Sequence, residues 1–351
     1  MSSMQQTILA NVATVGRRAP LRCALALVLV IPALAFGAAA PARIKIGTAS
    51  ITASTLSLWI AQEQGIFKKH GLDAQVIAIR GGPTLVASMI SGDTPYAFTT
   101  GVSFLGAAAQ GTRVKMLTCI SDKVSWKLMA SRQIKTPQDL RGKRIGVSSI
   151  IGTTWLNSML ALEQLGLEAK RDNIVFLQTG DPVTMGQALE SGRIDAAVLD
   201  PVTSRGLSGK GFPLLVDLLK ANVAFPGLGL GVTGGYLEKD TATAEKVVTA
   251  LMEGLAFVLQ PANKPVVLKS LMKNMRMNDQ AAAEEGYQDQ MATLTRKPYP
   301  SLEGLRNAQR LMAQQNPKIG AIKVEDIAEP RFIKKLDESG FIDKLYAPPG
   351  R

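Results

Sequence analysis

From residue 43 onwards the chain switches between two hydrophobic periods. Short runs rich in β-branched residues, Arg43–Ala49, Asp73–Ile79 and Tyr96–Thr99, alternate with stretches whose apolar residues recur three and four apart, around Thr55–Lys69 and Pro83–Ser91. The same order then returns, with strands expected at Arg144–Ser148, Asn173–Gln178 and Ile194–Leu199 and helices at Thr153–Leu165 and Pro182–Glu190. Pro83 and Pro182 each suit the first turn of a helix, because proline has no N–H to lose there and its φ is already helical. Beyond Lys239 the pattern is helical and Met-rich, over Glu245–Leu259, Val266–Met275 and Asp279–Leu294, and it ends in an irregular, proline-containing tail. Methionines at helical spacing read as core filler.

The return is a duplication. Asp73 to Pro83 lines up with Asp172 to Pro182, and Ile46-Gly47 with Ile145-Gly146. Glu63-Gln64-Gly65 matches Glu163-Gln164-Leu165-Gly166, and Ser91-Gly92 matches Ser191-Gly192, all at an offset of 99 to 100. Four matches in one register predict two related lobes. Strand–helix alternation predicts an α/β fold in which each lobe is a parallel-rich sheet flanked by helices. Val114–Ile120 and Trp126–Ala130 are expected to carry the chain from one lobe to the other, and Phe225–Thr233 to carry it back. The expected division is residues 40–124 with 231–351 as the first lobe and 125–230 as the second, with a hinge between them.

Open parallel sheets bind ligands beyond the carboxyl ends of their strands. The duplication therefore pairs Ser50–Thr55 with Ser149–Thr154, Gly81-Gly82 with Gly180-Asp181, and Thr99–Ser103 with Asp200–Thr203. Candidate ligand contacts are Ser50, Thr52, Ser54, Gly82, Thr100 and Ser103 from the first copy. From the second come Ser149, Gly152, Thr153, Thr154, Trp155, Asp181 and Asp200, with Trp126 from the connection. Gly152-Thr153-Thr154 opens a helix whose free N–H groups and positive dipole end suit an anion; plain capping by threonine is an equal reading. Asp181 and Asp200 read either as an N-cap before Pro182 and a turn residue before Pro201, or as partners for an amine. Trp126 and Trp155 are candidate flat walls, whereas Trp59 belongs to an apolar helix face. Gly81-Gly82 lacks the Gly-x-Gly-x-x-Gly spacing of a dinucleotide site.

Composition narrows the chemistry. The chain has 46% hydrophobic and 19% charged residues over 351 positions, enough apolar material for a folded protein of about two domains. Forty Lys and Arg against 28 Asp and Glu give +12, but no run of five basic residues occurs, so the charge reads as a diffuse surface rather than a nucleic-acid site. One histidine, His70, and two cysteines, Cys23 and Cys119, do not assemble a zinc site, and no nucleophile elbow of the Gly-x-Ser-x-Gly type accompanies the histidine as a Ser/His/Asp hydrolase would need. His70, before Gly71, reads as a helix C-terminal cap. No catalytic residue, metal or cofactor is expected.

Arg17, Arg18 and Arg22 precede the apolar run Cys23–Phe36 and then Gly37-Ala38-Ala39-Ala40, the order of a secretory signal cleaved near Ala39. Its removal takes three arginines and no acid, leaving +9 and a single cysteine. A periplasmic protein, without membrane insertion of the mature chain, is the expectation.

Four segments carry a family resemblance: Ile44–Gly47, Ala61–Leu72, Leu140–Val147 and Leu189–Ala197. Over roughly Arg43–Gln260 the chain resembles the nitrate/sulfonate/taurine group of solute-binding proteins of ABC importers, with the related thiamine-pyrimidine proteins. The resemblance implies a two-lobed type II periplasmic-binding fold, a monomer that closes around a small solute and delivers it to a membrane permease driven by an ATPase. It places the ligand between Ser50–Thr55 and Ser149–Trp155, and suggests a sulfonate-, nitrate- or taurine-like anion or zwitterion. Where many relatives carry Trp-Glu-Pro, this chain has Leu199-Asp200-Pro201. Two alternatives accompany it: a receptor module that presents its solute to a sensor protein, and a thiamine-pyrimidine-synthase-like enzyme, for which Cys119 and His70 are poor material.

Overall fold

The computed structural model describes residues 40–347; the signal segment and Cys23 lie outside them. The first copy folds as β1 (Ala42–Thr48), α1 (Leu56–Glu63), β2 (Leu72–Ala78), α2 (Gly82–Ser91), β3 (Tyr96–Thr100) and α3 (Gly101–Ala108), followed by β4 (Val114–Met116). The second follows as β5 (Lys127–Ala130), β6 (Arg144–Val147), α4 (Thr153–Gln164), β7 (Val175–Gln178), α5 (Pro182–Glu190), β8 (Ala196–Leu199), α6 (Pro201–Gly209) and β9 (Leu214–Asp217). After β10 (Leu228–Thr233) come α7 (Thr241–Leu259), α8 (Lys264–Met275), α9 (Gln280–Met291) and α10 (Leu302–Ala313). The tail beyond residue 301 is thus helical rather than irregular: Ser301 Oγ accepts from Gly304 N at 3.0 Å, and Leu305, Ala308, Leu311 and Met312 form a buried stripe.

Two five-stranded sheets result, in the orders β2-β1-β3-β10-β4 and β7-β6-β8-β5-β9. The three strands of each copy are mutually parallel, whereas β10 runs antiparallel between β3 and β4, and β5 antiparallel between β8 and β9. Each lobe therefore completes its sheet with one reversed strand adjoining a segment that crosses between lobes. Those two crossing segments run side by side, with Leu117 N donating to Leu230 O at 2.7 Å, Ile120 N to Leu228 O at 2.8 Å and Phe225 N to Asp122 O at 2.9 Å. Glycine is required in this seam: a Cβ on Gly229 would lie 1.8 Å from the Thr118 carbonyl oxygen. The whole of β10 joins the first sheet from Leu228 onwards.

The family motifs locate the scaffold. Arg144, at the start of β6, donates through Nε at 2.8 Å and Nη2 at 3.0 Å to the two carboxylate oxygens of Asp195, just before β8. This forked pair ties Leu140–Val147 to Leu189–Ala197, and the guanidinium hydrogen bond holds the Asp195 carboxyl below the usual carboxylate range. In the first lobe Trp59 is 6% exposed and packs with Leu56, Ile60, Val267, Ala283 and Tyr287, with Met272, Met275, Met277 and Met291 around them. The same α9 that supplies Ala283 and Tyr287 turns its other side to the second lobe. Arg205 pairs with Glu285 at 3.0 Å and Lys127 with Asp289 at 2.6 Å, and Gly286 abuts Val202.

Candidate functional site

The carboxyl ends of five of the six parallel strands, all but β8, open on one cavity of about 250 Å³ between the lobes. Its wall comes from the loops after β1 (Ala49, Ser50, Ser54), β2 (Arg80–Gly82) and β3 (Thr100). The second lobe adds the loops after β6 (Ser148, Ser149, Thr153, Thr154) and β7 (Gly180–Pro182). Ser121, Lys123, Ser125, Trp126, Phe225 and Gly227 line it from the crossing segments, and Gln290 and Thr293 from the end of α9 and the turn beyond it.

Local sequence explains the openness of the helix ends. Gly81, at φ 93°, precedes α2, and Gly152 precedes α4; neither has a side chain that can cap. The first N–H groups of both helices therefore lack a side-chain acceptor at the edge of the cavity, and the dipoles add positive potential there. In the second copy Gly180-Asp181 replaces Gly81-Gly82, and α5 is capped: Asp181 Oδ1 accepts from Thr184 N at 2.9 Å and Thr184 Oγ1 at 2.7 Å. The other oxygen of Asp181 pairs with Arg80 of the first lobe at 3.0 Å. A second contact between lobes at the cavity wall joins the hydroxyls of Thr100 and Thr153, Oγ1 to Oγ1 at 2.6 Å. Thr154 Oγ1 accepts from Ser148 N at 2.7 Å and so fixes the loop after β6.

Nine of the fourteen residues nominated from sequence line this cavity: Ser50, Ser54, Gly82, Thr100, Trp126, Ser149, Thr153, Thr154 and Asp181. Five stand elsewhere. Thr52 is buried behind Ser54, oxygen to oxygen at 2.7 Å, and Ser103 lies under Gly82 against Thr99 at 3.3 Å. Gly152 sets the start of α4 without reaching the lining. Trp155 is 1% exposed and points into the second-lobe core, edge-on to Phe176 at 6.1 Å between centroids, so it is no pocket wall. Asp200 caps α6, accepting from Val202 N, Thr203 N and Thr203 Oγ1, with burial pushing its carboxyl above the usual range. With Thr52 it lines a neighbouring recess, on the far side of the Arg80–Asp181 pair.

Sequence reasoning passed over Arg80, Lys123, Asn157, Phe225, Gln290 and Thr293. Arg80 was within reach, since it adjoins the matched Gly81; so was Asn157, four residues after Thr153 and hence on the same helix face. Gln290 and Thr293 have no counterpart in the duplication and gave no signal. Elsewhere, His70 ends a short helix and its Nε2 lies 3.0 Å from Glu253 Oε1. Cys119 is buried, its thiol pushed up to about 12 by desolvation.

The sequence profile of the NMT1/THI5-like family matches residues 53–264. The chain belongs to this family. A Brucella abortus relative, named as a putative binding protein, is 34% identical over 139 residues, 39% of this chain and 41% of the relative, so the chain spans about two fifths of that relative's length. Among solved structures, the periplasmic aliphatic sulphonate binding protein SsuA of Escherichia coli superposes with a TM-score of 0.60 at 19% identity, covering 79% of this chain and 88% of that one. The periplasmic nitrate-binding protein NrtA of Synechocystis gives 0.66 at 13% identity, covering 88% and 91%. The fold is thus the two-lobed periplasmic-binding fold.

Proposed function

We propose that this protein is the extracytoplasmic solute-binding component of an ABC-type importer, exported by the segment 1–39, monomeric, and delivering a small anionic or zwitterionic solute to a membrane permease. The observation that carries the reading is a cavity held by both lobes at once, with two helix N-termini that no side chain caps at its edge and direct lobe-to-lobe contacts at Thr100–Thr153 and Arg80–Asp181. A solute favours closure only through contacts made to both lobes together, and this lining offers them. The volume is below the ~300–1,000 Å³ usual for drug-sized ligands, which favours a small solute. The lobe of the first sheet, with all of β10 from Leu228, would move against the lobe of the second sheet about the paired crossing segments.

Named functions of relatives support a binding role: sulphonate binding and nitrate binding for the two solved structures above. The lining includes no histidine and no cysteine, and its charged groups are Arg80, Lys123 and Asp181, which suits capture better than catalysis. Among the described residues no helix is long and apolar enough to cross a membrane.

Native mass spectrometry of the purified protein, before and after unfolding and refolding to strip bound solute, tests the reading when followed by a thermal-shift panel of sulfonates, nitrate, carboxylates and pyrimidines. A single adduct, or a dose-dependent rise in melting temperature with one compound, is the expected result. Absence of both overturns it.

A further inference from the structure

We propose that Gly286 is a positioning residue for solute binding: by letting α9 of the first lobe seat directly on α6 of the second, it sets how closely the lobes approach, and a side chain in its place would hold the cavity ajar. The inference rests on the reading of the cavity as a solute site and names a residue outside its lining that controls affinity. β8 is the one parallel strand whose carboxyl end does not reach the cavity. It runs through Asp200 into α6, and the first turn of α6 meets α9. The two helices belong to different lobes: Ala283 and Tyr287 of α9 pack with Trp59 and Ile60, whereas Leu207 of α6 packs with Met129, Leu199 and Phe212. A Cβ on Gly286 would lie 2.3 Å from Cγ2 of Val202, while carbons in contact stand about 3.5–4.0 Å apart. Val202 has little room to swing aside, because a β-branched side chain in a helix keeps essentially one χ1 rotamer and its own N–H is held by Asp200 at 3.1 Å. Glycine weakens a helix interior, and here it stands buried in the middle of α9, at the point where a backbone of the other lobe comes closest to it.

The contact lies in a seam that starts at the cavity. Gln290, at the end of α9, lines the cavity, and next to it Asp289 pairs with Lys127, the neighbour of Trp126 in the wall. One turn back along α9, Gly286 meets Val202 and Glu285 pairs with Arg205 at 3.0 Å. Asp200, two residues before Val202, lines the recess between the lobes together with Ser50 and Arg80, which puts the contact on the side of the crossing segments where the lobes close. The ion pairs yield to small shifts, whereas steric overlap does not. To bring a Cβ at position 286 to ordinary contact distance the lobes must part there by roughly 1–2 Å. Thr100 to Thr153, now 2.6 Å, and Arg80 to Asp181, now 3.0 Å, would then exceed hydrogen-bonding distance. A solute favours closure only by touching both lobes, so the same gap removes one set of its contacts.

Two readouts test this, one of them independent of the solute. Thr100→Cys with Thr153→Cys puts two thiols where the hydroxyls now meet, and Cys119, the free cysteine of the described residues, is buried. The rate at which diamide oxidises the pair to a disulfide then reports how often the lobes meet. Gly286→Ala in that background should slow it about tenfold. Adding Val202→Ala should restore it, since Val202 Cβ would stand 3.7 Å from the new methyl group. With the native threonines, titration calorimetry of the refolded, ligand-free protein uses ethanesulfonate, 2-aminoethanesulfonate, nitrate, butyrate, benzoate and cytosine. For each probe that the wild type binds, Gly286→Ala should bind about tenfold more weakly, and Val202→Ala and the double variant within about twofold of wild type. Circular dichroism checks that each variant folds; Val202→Phe, which enlarges the other side of the same contact and should weaken binding likewise, covers the case in which Gly286→Ala does not. Undiminished crosslinking and affinity in the folded variants, or losses that Val202→Ala does not recover, overturn the inference and leave solute binding standing. Crosslinking in the expected order with no probe bound by the wild type supports the closing stop and overturns the solute site.

Discussion

Arg80 of the first lobe and Asp181 of the second meet at 3.0 Å across the mouth of the cavity, and the same Asp181 caps the helix behind it. One carboxylate thus serves a local purpose, capping the start of α5, and a distant one, joining the lobes. The two roles separate by substitution. Asp181→Asn keeps an oxygen for the cap and removes the charge.

Asp181→Asn and Arg80→Met should each weaken solute binding by about two- to fivefold, because Arg80 is largely exposed and a solvated pair of this kind contributes modestly. The double variant should be no weaker than either single one, as expected if both act through one contact. Titration calorimetry on the four proteins supplies the cycle; additive losses would separate the two residues.

Thr153 touches Thr100 across the cleft at 2.6 Å and lies at the open end of α4. Replacing Thr153 and Thr154 together by leucine should abolish binding, by filling the cavity and removing the hydroxyl that anchors Ser148. Thr153→Leu alone, which spares that anchor, should still lower affinity by more than about tenfold. Unchanged affinity of the double variant would remove this helix start from the site.

Trp155 sits among core residues, so its substitution should act on stability and leave solute contacts in place. Trp155→Ala is expected to destabilise by about 3–5 kcal/mol, while Trp155→Phe should bind with wild-type affinity. Urea unfolding and titration of the two variants distinguish this from a wall of the pocket, for which affinity would fall first.

The Arg144–Asp195 pair gives a pH signature. Its guanidinium depresses the folded-state pKa of Asp195 below the ~3.9 of an unfolded chain, so its stabilising contribution is full above that value. The contribution is lost as pH falls through the folded pKa. Asp195→Asn should therefore melt lower than wild type at pH 7, by on the order of 2 °C, and the gap should close at pH values below the folded pKa. Melting curves across that range check the sign; a gap that widens in acid would contradict it.

Much of the scaffold was legible because it is written locally. Pro182–Glu190 is helical over the expected span, and Pro83 and Pro182 fall in first turns. The reversed strands β5 and β10 were not legible as sheet partners. A strand's sequence states that it is extended and buried, while its direction in the sheet depends on where the chain has already been. Trp155 and Asp200 were nominated by position in matched loops. Position cannot say which way an aromatic turns from a helix, or whether a carboxylate is spent on its own backbone.

By itself the sequence determined the duplicated strand–helix units, their glycine and proline punctuation, and hence the six parallel strands, five of which end at the cavity. Those features depend on periodicity and backbone preference, which act over a few residues. Only the tertiary structure decided that Arg80 faces Asp181 and that Thr100 meets Thr153. Each of these is a question of which groups remain after all nearer partners are taken, and that is settled by packing the two lobes against each other.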